Sequence, residues 1–186
     1  GATVELVAGK NIILDTLKVN EGYRLSSGNW QQAEAYVRHL QTQVLAAQDL
    51  SISAGTDIIA IAANLEAGSE ATLEAGRNIT LLAVEETNHY EEHSRSDGSL
   101  GRSKSHDLVH DESGMLGTTI EVGNSESDQS TDLADSGKLV MSAGGDITLY
   151  ASQVVATGQA DITAGNNINV IAGINTISHS EKSSKE

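Results

Sequence analysis

The chain has 186 residues, of which 38% are hydrophobic and 20% charged, a composition that argues against disorder throughout. Aromatic residues make up only 3%, and Pro and Cys are absent, so the sequence favours a narrow aliphatic core with long strands and excludes disulfides and thiolate metal sites. The formal net charge of −15 repels phosphate backbones, and the sequence therefore predicts no nucleic-acid partner.

The chain begins within a repeat, without a signal peptide or a run of about 18 apolar residues, so we expect it to be a piece of a longer protein. The repeat contains the motif Ala-Gly-x-Asp/Asn-Ile, which occurs five times. Its glycines are 21 residues apart within the pairs 55/76 and 144/165, and these pairs are offset by 89 residues, so a short repeat is nested in a longer one. The candidate structural corner motif consists of Gly9, Asn11, Gly55, Asp57, Gly76, Asn78, Gly144, Asp146, Gly165 and Asn167.

Each copy of the motif lies between two predicted strands. Apolar residues alternate before the Gly, as at Leu50 and Ile52, and the alternation restarts in a new phase after it, as at Ile58 and Ala60. Gly tolerates positive φ and Asp or Asn can hydrogen-bond nearby backbone, so the motif predicts a corner. A coil of about 21 residues holds three short strands and cannot bury its inward row alone. The sequence therefore predicts an all-β fold, a parallel β-helix (solenoid) whose stacked coils each rise about 4.8 Å.

Two polar segments interrupt the coils, and we predict insertions at residues 16–43 and 85–138 in what is otherwise a single β-helix fragment spanning 1–186. In the longer one, two strand-like stretches flank the turn-rich residues 97–101, which predicts a projecting antiparallel β-hairpin. Residues 123–130 are expected to form a flexible loop. Residues 174–186 align, at the 89-residue offset, with the start of the hairpin and predict the start of a truncated further insertion.

Three groups of residues were weighed as sites. His89 to His93 match the zinc motif H-x-x-E-H, which needs a helix that this polar stretch does not favour. On a strand, His89, Glu91 and His93 would share one face, and His106 or His110 opposite them could complete an adventitious metal site. An acidic series without calcium-loop spacing is expected to be a solvated surface; it comprises Glu126, Asp128, Asp132 and Asp135.

The aromatic residues Tyr23, Trp30 and Tyr36 could form a sugar-stacking surface. We favour a structural role, in which they cap the open apolar end of the coils or pack the first insertion onto them. Some parallel β-helices are polysaccharide lyases or hydrolases with clustered carboxylates on one outer face, but the regular coils carry no such cluster in their sequence. We therefore predict no enzyme, with no catalytic, cofactor-binding or metal-binding residues and no cofactor.

Residues 75–83 (AGRNITLLA), followed by 85–94 (EETNHYEEHS), resemble the haemagglutinin repeats of filamentous haemagglutinin and of contact-dependent growth inhibition exoproteins of the CdiA type. The resemblance covers most of residues 1–175 and implies a right-handed parallel β-helix filament, secreted to the bacterial cell surface by two-partner secretion. It also implies two partners for the parent protein, an outer-membrane secretion partner and the outer membrane or a surface receptor of a target cell.

The function predicted from these observations is that of a structural repeat segment, a filament and delivery scaffold for contact-dependent toxin transfer to neighbouring cells. An adhesin module that binds host or bacterial cell-surface ligands is the alternative, and a polysaccharide-acting β-helix enzyme is a more distant one. Saturable ligand binding would distinguish the adhesin, and turnover of an acidic polysaccharide would distinguish the enzyme.

Overall fold

The computed structural model describes residues 3–99, 102–123 and 137–185, which form strands and no α-helix. Within them there is no helix of the length and apolarity that crossing a bilayer requires. The strands, in chain order, are β1 (Val4–Ala8), β2 (Ile12–Leu14), β3 (Leu17–Ser27), β4 (Trp30–Leu40), β5 (Gln43–Ala46), β6 (Asp49–Ala54), β7 (Asp57–Ile61), β8 (Asn64–Ala67), β9 (Glu70–Ala75), β10 (Asn78–Leu82), β11 (Val84–Asp97), β12 (Ser103–Leu116), β13 (Thr119–Val122), β14 (Lys138–Ala143), β15 (Ile147–Tyr150), β16 (Gln153–Ala156), β17 (Ala160–Ala164), β18 (Ile168–Ile171) and β19 (Thr176–Lys185).

The chain divides into two compact units. We call the first the coil stack; it comprises Gly1–Leu17, Gln41–Val84 and Leu116–Gly173. The second, the hairpin sheet, comprises Lys18–Leu40, Glu85–Met115 and Ile174–Glu186. The domain boundaries read from the sequence, with insertions at 16–43, 85–138 and 174–186, stay a prediction.

Three parallel sheets build the coil stack. Their strand orders are β1-β6-β9-β14-β17, β2-β7-β10-β15-β18 and β5-β8-β13-β16. The chain passes through the three sheets in turn, and each circuit forms one coil, so the described strands form five coils. The fifth contributes β17 and β18 to the first two sheets. This arrangement confirms the all-β parallel β-helix predicted from the spacing of the motif.

The core lies inside the coils and follows the period-two pattern of the strands. Equivalent residues of successive coils pair directly, as Ile52 with Leu73 and Leu73 with Met141 do in the first sheet. All three of these side chains are fully buried. In the second sheet Ile79 pairs with Ile58 on one side and with Ile147 on the other. Aliphatic side chains stacked on their equivalents therefore fill the interior, as the scarcity of aromatic residues indicated.

The corner after the second strand differs between coils. In coils 1, 3 and 5 the chain leaves the stack there, because β3, β11 and β19 follow directly on β2, β10 and β18. In coils 2 and 4 the chain turns instead through Ala62 and Ala151, both with φ of 45°. Residues other than Gly seldom adopt this left-handed conformation. Each alanine N–H donates to a carbonyl of the next coil, Ala62 to Leu82 at 2.9 Å and Ala151 to Ile171 at 2.8 Å.

The hairpin sheet has the strand order β3-β4-β11-β12-β19. Strands β3 and β4 are joined by a two-residue turn in which Gly28 has φ of 58°. Strand β11 pairs antiparallel with β4, and β12 pairs antiparallel with β19. Strands β11 and β12 are neighbours in this sheet, and the hairpin proposed for the longer insertion stays a prediction. Leu100 and Gly101 of the predicted turn, and residues 124–130 of the predicted loop, lie outside the described residues.

Both units repeat at the same interval. Adjacent strands lie about 4.8 Å apart, so two coils rise about 9.6 Å, and the two strands of one hairpin occupy about 9.6 Å of a sheet. The chain departs from the stack at every second coil and contributes two strands to the hairpin sheet on each complete excursion. Along the chain, one excursion into the hairpin sheet therefore accompanies every two coils.

Candidate functional site

The five motif glycines form one column at the first corner of the stack. The N–H of Gly76 donates to the Ala54 carbonyl at 2.9 Å, and the N–H of Gly144 donates to the Ala75 carbonyl at 3.0 Å. A Cβ on Gly76 would lie within 3.0 Å of the Gly55 carbonyl oxygen, and the same overlap recurs at Gly55, Gly144 and Gly165. None of these glycines has a left-handed φ. The positive φ expected from the sequence is wrong, and close approach between coils is the reason for glycine here.

The motif Asn and Asp residues form a second column beside the first. Each side-chain oxygen accepts a hydrogen bond from the backbone N–H at the same position of the next coil. Asn78 accepts from Asp146 at 2.9 Å, and Asp146 accepts from Asn167 at 3.0 Å. Asn11 and Asp57 accept in the same way at 3.3 and 3.2 Å. All ten residues of the candidate corner motif therefore line two adjacent columns, and their role as the determinant of the corner stays a prediction.

Asp57 is the one member of the second column with an arginine partner among the described residues. Its carboxylate receives Nε of Arg77 at 2.9 Å and is also bonded by Nη2 of the same side chain. The Arg77 hydrogen bonds hold the pKa of Asp57 below its usual range, against the opposing effect of burial. Arg77 occupies the variable position of its motif copy, so the motif alone gave no signal for this pair.

Thr118 is a structural residue that the sequence analysis missed. It is fully buried where the chain rejoins the stack, next to the start of β13. Its hydroxyl accepts from the Ala63 N–H at 3.2 Å and lies 3.0 Å from both the Ala60 and Leu82 carbonyls, to either of which it can donate. Thr118 therefore satisfies backbone groups of two coils at the corner where the ladder is interrupted. A single Thr between Gly117 and Thr119 carries no sequence signal for this role.

The zinc motif considered at residues 89–93 lies on strand β11 and not on a helix. Nδ1 of His89 contacts Asp111, and Nδ1 of His93 contacts Asp107. Because strands alternate in side-chain direction, His106 and His110 lie on the face opposite these aspartates and cannot complete a site with His89 and His93. The described residues contain no group of three or more side chains placed to hold a metal ion. The acidic series at 126–135 lies outside the described residues.

Four of the five Tyr and Trp residues of the chain lie on one face of the hairpin sheet: Tyr23, Trp30, Tyr36 and Tyr90. The hydroxyls of the three tyrosines form hydrogen bonds with polar neighbours on this face. Nε2 of Gln32 donates to the Tyr23 hydroxyl at 2.9 Å, and the Tyr90 hydroxyl donates to Glu92 at 2.8 Å. These contacts lie within the hairpin sheet, and the predicted packing or capping role of the aromatic residues stays a prediction. No side chain described in the sheet is buried, and the aromatic face is accessible to water.

Comparison with known proteins agrees with the fold and the repeat. The family model described as hemagglutinin repeat matches residues 22–186. Deoxyribonuclease CdiA of Dickeya dadantii (strain 3937) is 29% identical over 160 residues, which cover 85% of this chain but 4% of that protein. The chain therefore spans a small part of the relative, and the nuclease activity in its name is not attributed to this segment. No solved structure matches the chain significantly.

The predicted resemblance is confirmed by both matches. Haemagglutinin repeats form a structural and adhesive family of secreted, surface-associated proteins, not a family of enzymes. With its stacked coils, its columns of equivalent residues and a family match over most of its length, this chain belongs to the haemagglutinin repeat family and is a repeat segment of a secreted exoprotein of the filamentous haemagglutinin and CdiA type.

Proposed function

We propose that this segment is a rigid spacer in an exoprotein that transfers a toxin to a neighbouring cell on contact. The observation that carries the proposal is the continuous register of the coil stack, in which equivalent residues pair from coil to coil across each of the three sheets. Because each coil is fixed to the next by three parallel ladders and a shared aliphatic core, the stack resists bending as a rod does. Five coils rise about 24 Å.

The similarity to a CdiA protein supports a delivery role for the parent exoprotein. Its partners are then an outer-membrane protein that exports it and the outer membrane or a surface receptor of the target cell. In this arrangement the coil stack sets the reach, and the hairpin sheet is the part of the segment that can meet a partner, because none of its described side chains is sealed in a core.

The test is the deletion of residues 55–143 from the full-length exoprotein, which removes one period of two coils and one hairpin. The deletion joins Ala54 to Gly144. Ala54 is equivalent to Ala143, which precedes Gly144, so the junction restores an intact first corner and the remaining coils can stack in register. We expect export and surface display to be retained and growth inhibition of neighbouring cells to fall. Unchanged inhibition at equal surface display would contradict the proposal.

The matched control is a deletion of residues 55–99, which ends within the hairpin and breaks the alternation of coils and excursions. We expect this shorter deletion to reduce surface display itself, because the remaining strands cannot pair in register. Comparing the two deletions separates an effect of filament length on toxin transfer from an effect of misfolding on surface display. If the shorter deletion were displayed and delivered as well as the longer one, the register of the stack would not matter for function.

Adhesion is the second candidate, and the aromatic face of the hairpin sheet favours it. Aromatic rings with carboxylate and amide neighbours, such as Tyr90 with Glu92 and Tyr23 with Gln32, can stack on sugar rings and bond to their hydroxyls. This role predicts saturable binding of the segment to cell-surface glycans, which Trp30→Ala should weaken and Tyr150→Ala, a change in the coil stack, should leave unaltered.

A further inference from the structure

A cleft of about 320 Å³ opens on the hairpin sheet, where β11, β12 and β19 run side by side. Among the residues that line it, three are basic, five are serines and one is a histidine, and none is acidic. We call it the basic cleft and define it by Arg95, Ser96, Lys104, His106, Ser183 and Lys185. In a chain with 26 acidic and 11 basic residues, such a concentration of positive charge is unexpected.

Two lysines of the basic cleft face each other directly. Lys104 of β12 is the cross-strand partner of Lys185 of β19. Like charges placed opposite each other in an antiparallel pair destabilise it. Neither lysine forms an ion pair within the part of the chain that the structure describes. By contrast, Lys138 in the coil stack pairs with Glu70 at 2.8 Å. No ion pair among the described residues therefore offsets the repulsion between Lys104 and Lys185.

Neutral donors complete the lining of the basic cleft. Ser183 is the cross-strand partner of His106, and the serine hydroxyls can donate to an anion without adding charge. Two nearby carboxylates contact residues of the basic cleft itself, but neither forms an ion pair with Lys104 or Lys185 in the described part of the chain. Asp97 receives Nε of Arg95 at 3.2 Å and Nδ2 of Asn29 at 3.3 Å, and Glu181 lies 3.7 Å from Nδ1 of His106.

We propose that the basic cleft binds a phosphate monoester, with the ammonium groups of Lys104 and Lys185 on its charged oxygens and the serines on the remaining acceptors. Lysines act as point charges toward phosphate, and two of them match the near −2 charge of a monoester at neutral pH. A nucleic-acid backbone fits less well, because the net charge of −15 repels an extended polyanion while a single small group fits inside the cleft. This binding goes beyond the spacer role and does not rest on it.

The test uses the chain of 186 residues, labelled with ¹⁵N and titrated with inorganic phosphate at constant ionic strength and neutral pH. We expect saturable amide shifts confined to the ends of β11, β12 and β19 that line the cleft. The double variant Lys104→Gln/Lys185→Gln should weaken binding at least about tenfold, because it removes two charge-assisted contacts. Lys182→Gln is the matched control, since Lys182 lies on the opposite face of β19, across from Asp107, and should bind phosphate like the unaltered chain.

Two further ligands identify the source of the phosphate. Tighter binding of a sugar phosphate than of inorganic phosphate would assign the site to a phosphorylated glycan, and tighter binding to vesicles containing phosphatidic acid than to phosphatidylcholine vesicles would assign it to a lipid headgroup. Both results support the proposal.

The proposal would be overturned by shifts that do not saturate, by equal weakening with Lys182→Gln, or by duplex DNA binding that depends on Lys104 and Lys185 more strongly than phosphate binding does. Folding is checked separately. Without phosphate the double variant should be at least as stable as the unaltered chain, because the like-charge repulsion is gone, and added phosphate should raise the unfolding temperature of the unaltered chain alone. A double variant that is less stable without phosphate would also contradict the proposal.

Discussion

The coil stack and the hairpin sheet are built from the same chain of strands but are stabilised differently. Every side chain found buried in the described residues belongs to the coil stack, where it packs on its equivalents in the coils above and below. The hairpin sheet has none, and its strands are joined by ladder hydrogen bonds and by exposed pairs such as Arg24 with Glu91 at 3.3 Å. Apolar burial fixes the first unit, whereas polar contacts that water can replace connect the second.

This difference also separates the chemistry of the two units. All six histidines of the chain lie in the hairpin sheet, together with four of its five Tyr and Trp residues and the basic cleft. Because few of its side chains are needed to fill a core, the sheet can vary its surface at little cost in stability. The coil stack cannot, and its inward positions are restricted to aliphatic residues.

The largest effect is expected when a core side chain of the stack is truncated. Leu73→Ala should lower the free energy of unfolding by about 3 to 5 kcal/mol, because Leu73 is fully buried between Ile52 and Met141 and its truncation leaves a cavity in the core. The same change in the sheet, Leu108→Ala, should cost about 1 kcal/mol or less. Urea unfolding followed by circular dichroism measures both values, and equal losses would remove the distinction between the units.

A smaller but more specific effect is expected at the glycine column. Gly76→Ala should cost about 1 to 3 kcal/mol, because its Cβ would overlap the Gly55 carbonyl. Gly9→Ala is the matched control within the same column, since a Cβ on Gly9 has no atom within 4 Å. It should change stability by about 0.5 kcal/mol or less. If both substitutions were tolerated equally, close approach would not explain the motif glycines.

The smallest effect is expected at Asp57, whose contribution to stability depends on pH. The pKa of Asp57 is held below its usual value of 3.8 by Arg77, so the charged carboxylate stabilises the fold above that value, and this contribution disappears as the pH falls through the lowered pKa. Asp57→Asn keeps the acceptor for the next coil but loses the charge. It should lower the unfolding temperature slightly at neutral pH and by less at about pH 2.

Asp146→Asn is the control for this change, because Asp146 holds the same position of the column without a cationic partner among the described residues. Thermal unfolding at the two pH values compares the variants. A loss for Asp57→Asn that is as large in acid, or one matched by Asp146→Asn at neutral pH, would show that the Arg77 pair is not its cause.

The sequence predicted the coil stack well because its determinants are local and periodic. The motif copies place Ile58, Ile79 and Ile147 at equivalent points, and these residues do pair with one another. The reason for the glycines was not predictable, since an overlap with the carbonyl of another coil depends on how closely the coils pack. The hydroxyl of Thr118 was missed for the same reason, because its partners Ala60 and Leu82 are 58 and 36 residues away.

The hairpin sheet was predicted only in part. Turn residues indicated two strands in the longer insertion, where β11 and β12 lie. The pairing of β11 with β4, which joins Tyr90 to Glu34, leaves no periodic signal in the sequence. The basic cleft was also missed, because Lys104 and Lys185 belong to strands far apart in the chain and become partners only when β12 pairs with β19. The composition of the chain argued against an anion site, because a net charge of −15 does not reveal a local excess of positive residues.

The shared interval of about 9.6 Å has a consequence for how genes of this kind can change length. Recombination between neighbouring repeats that adds or removes a whole period of two coils and one hairpin leaves the register of both units intact. An event that adds a single coil would advance the stack by one strand spacing while the hairpins still come in pairs of strands. We therefore expect natural variation in the length of such exoproteins to occur in whole periods, each equal to the 89-residue offset between Gly55 and Gly144.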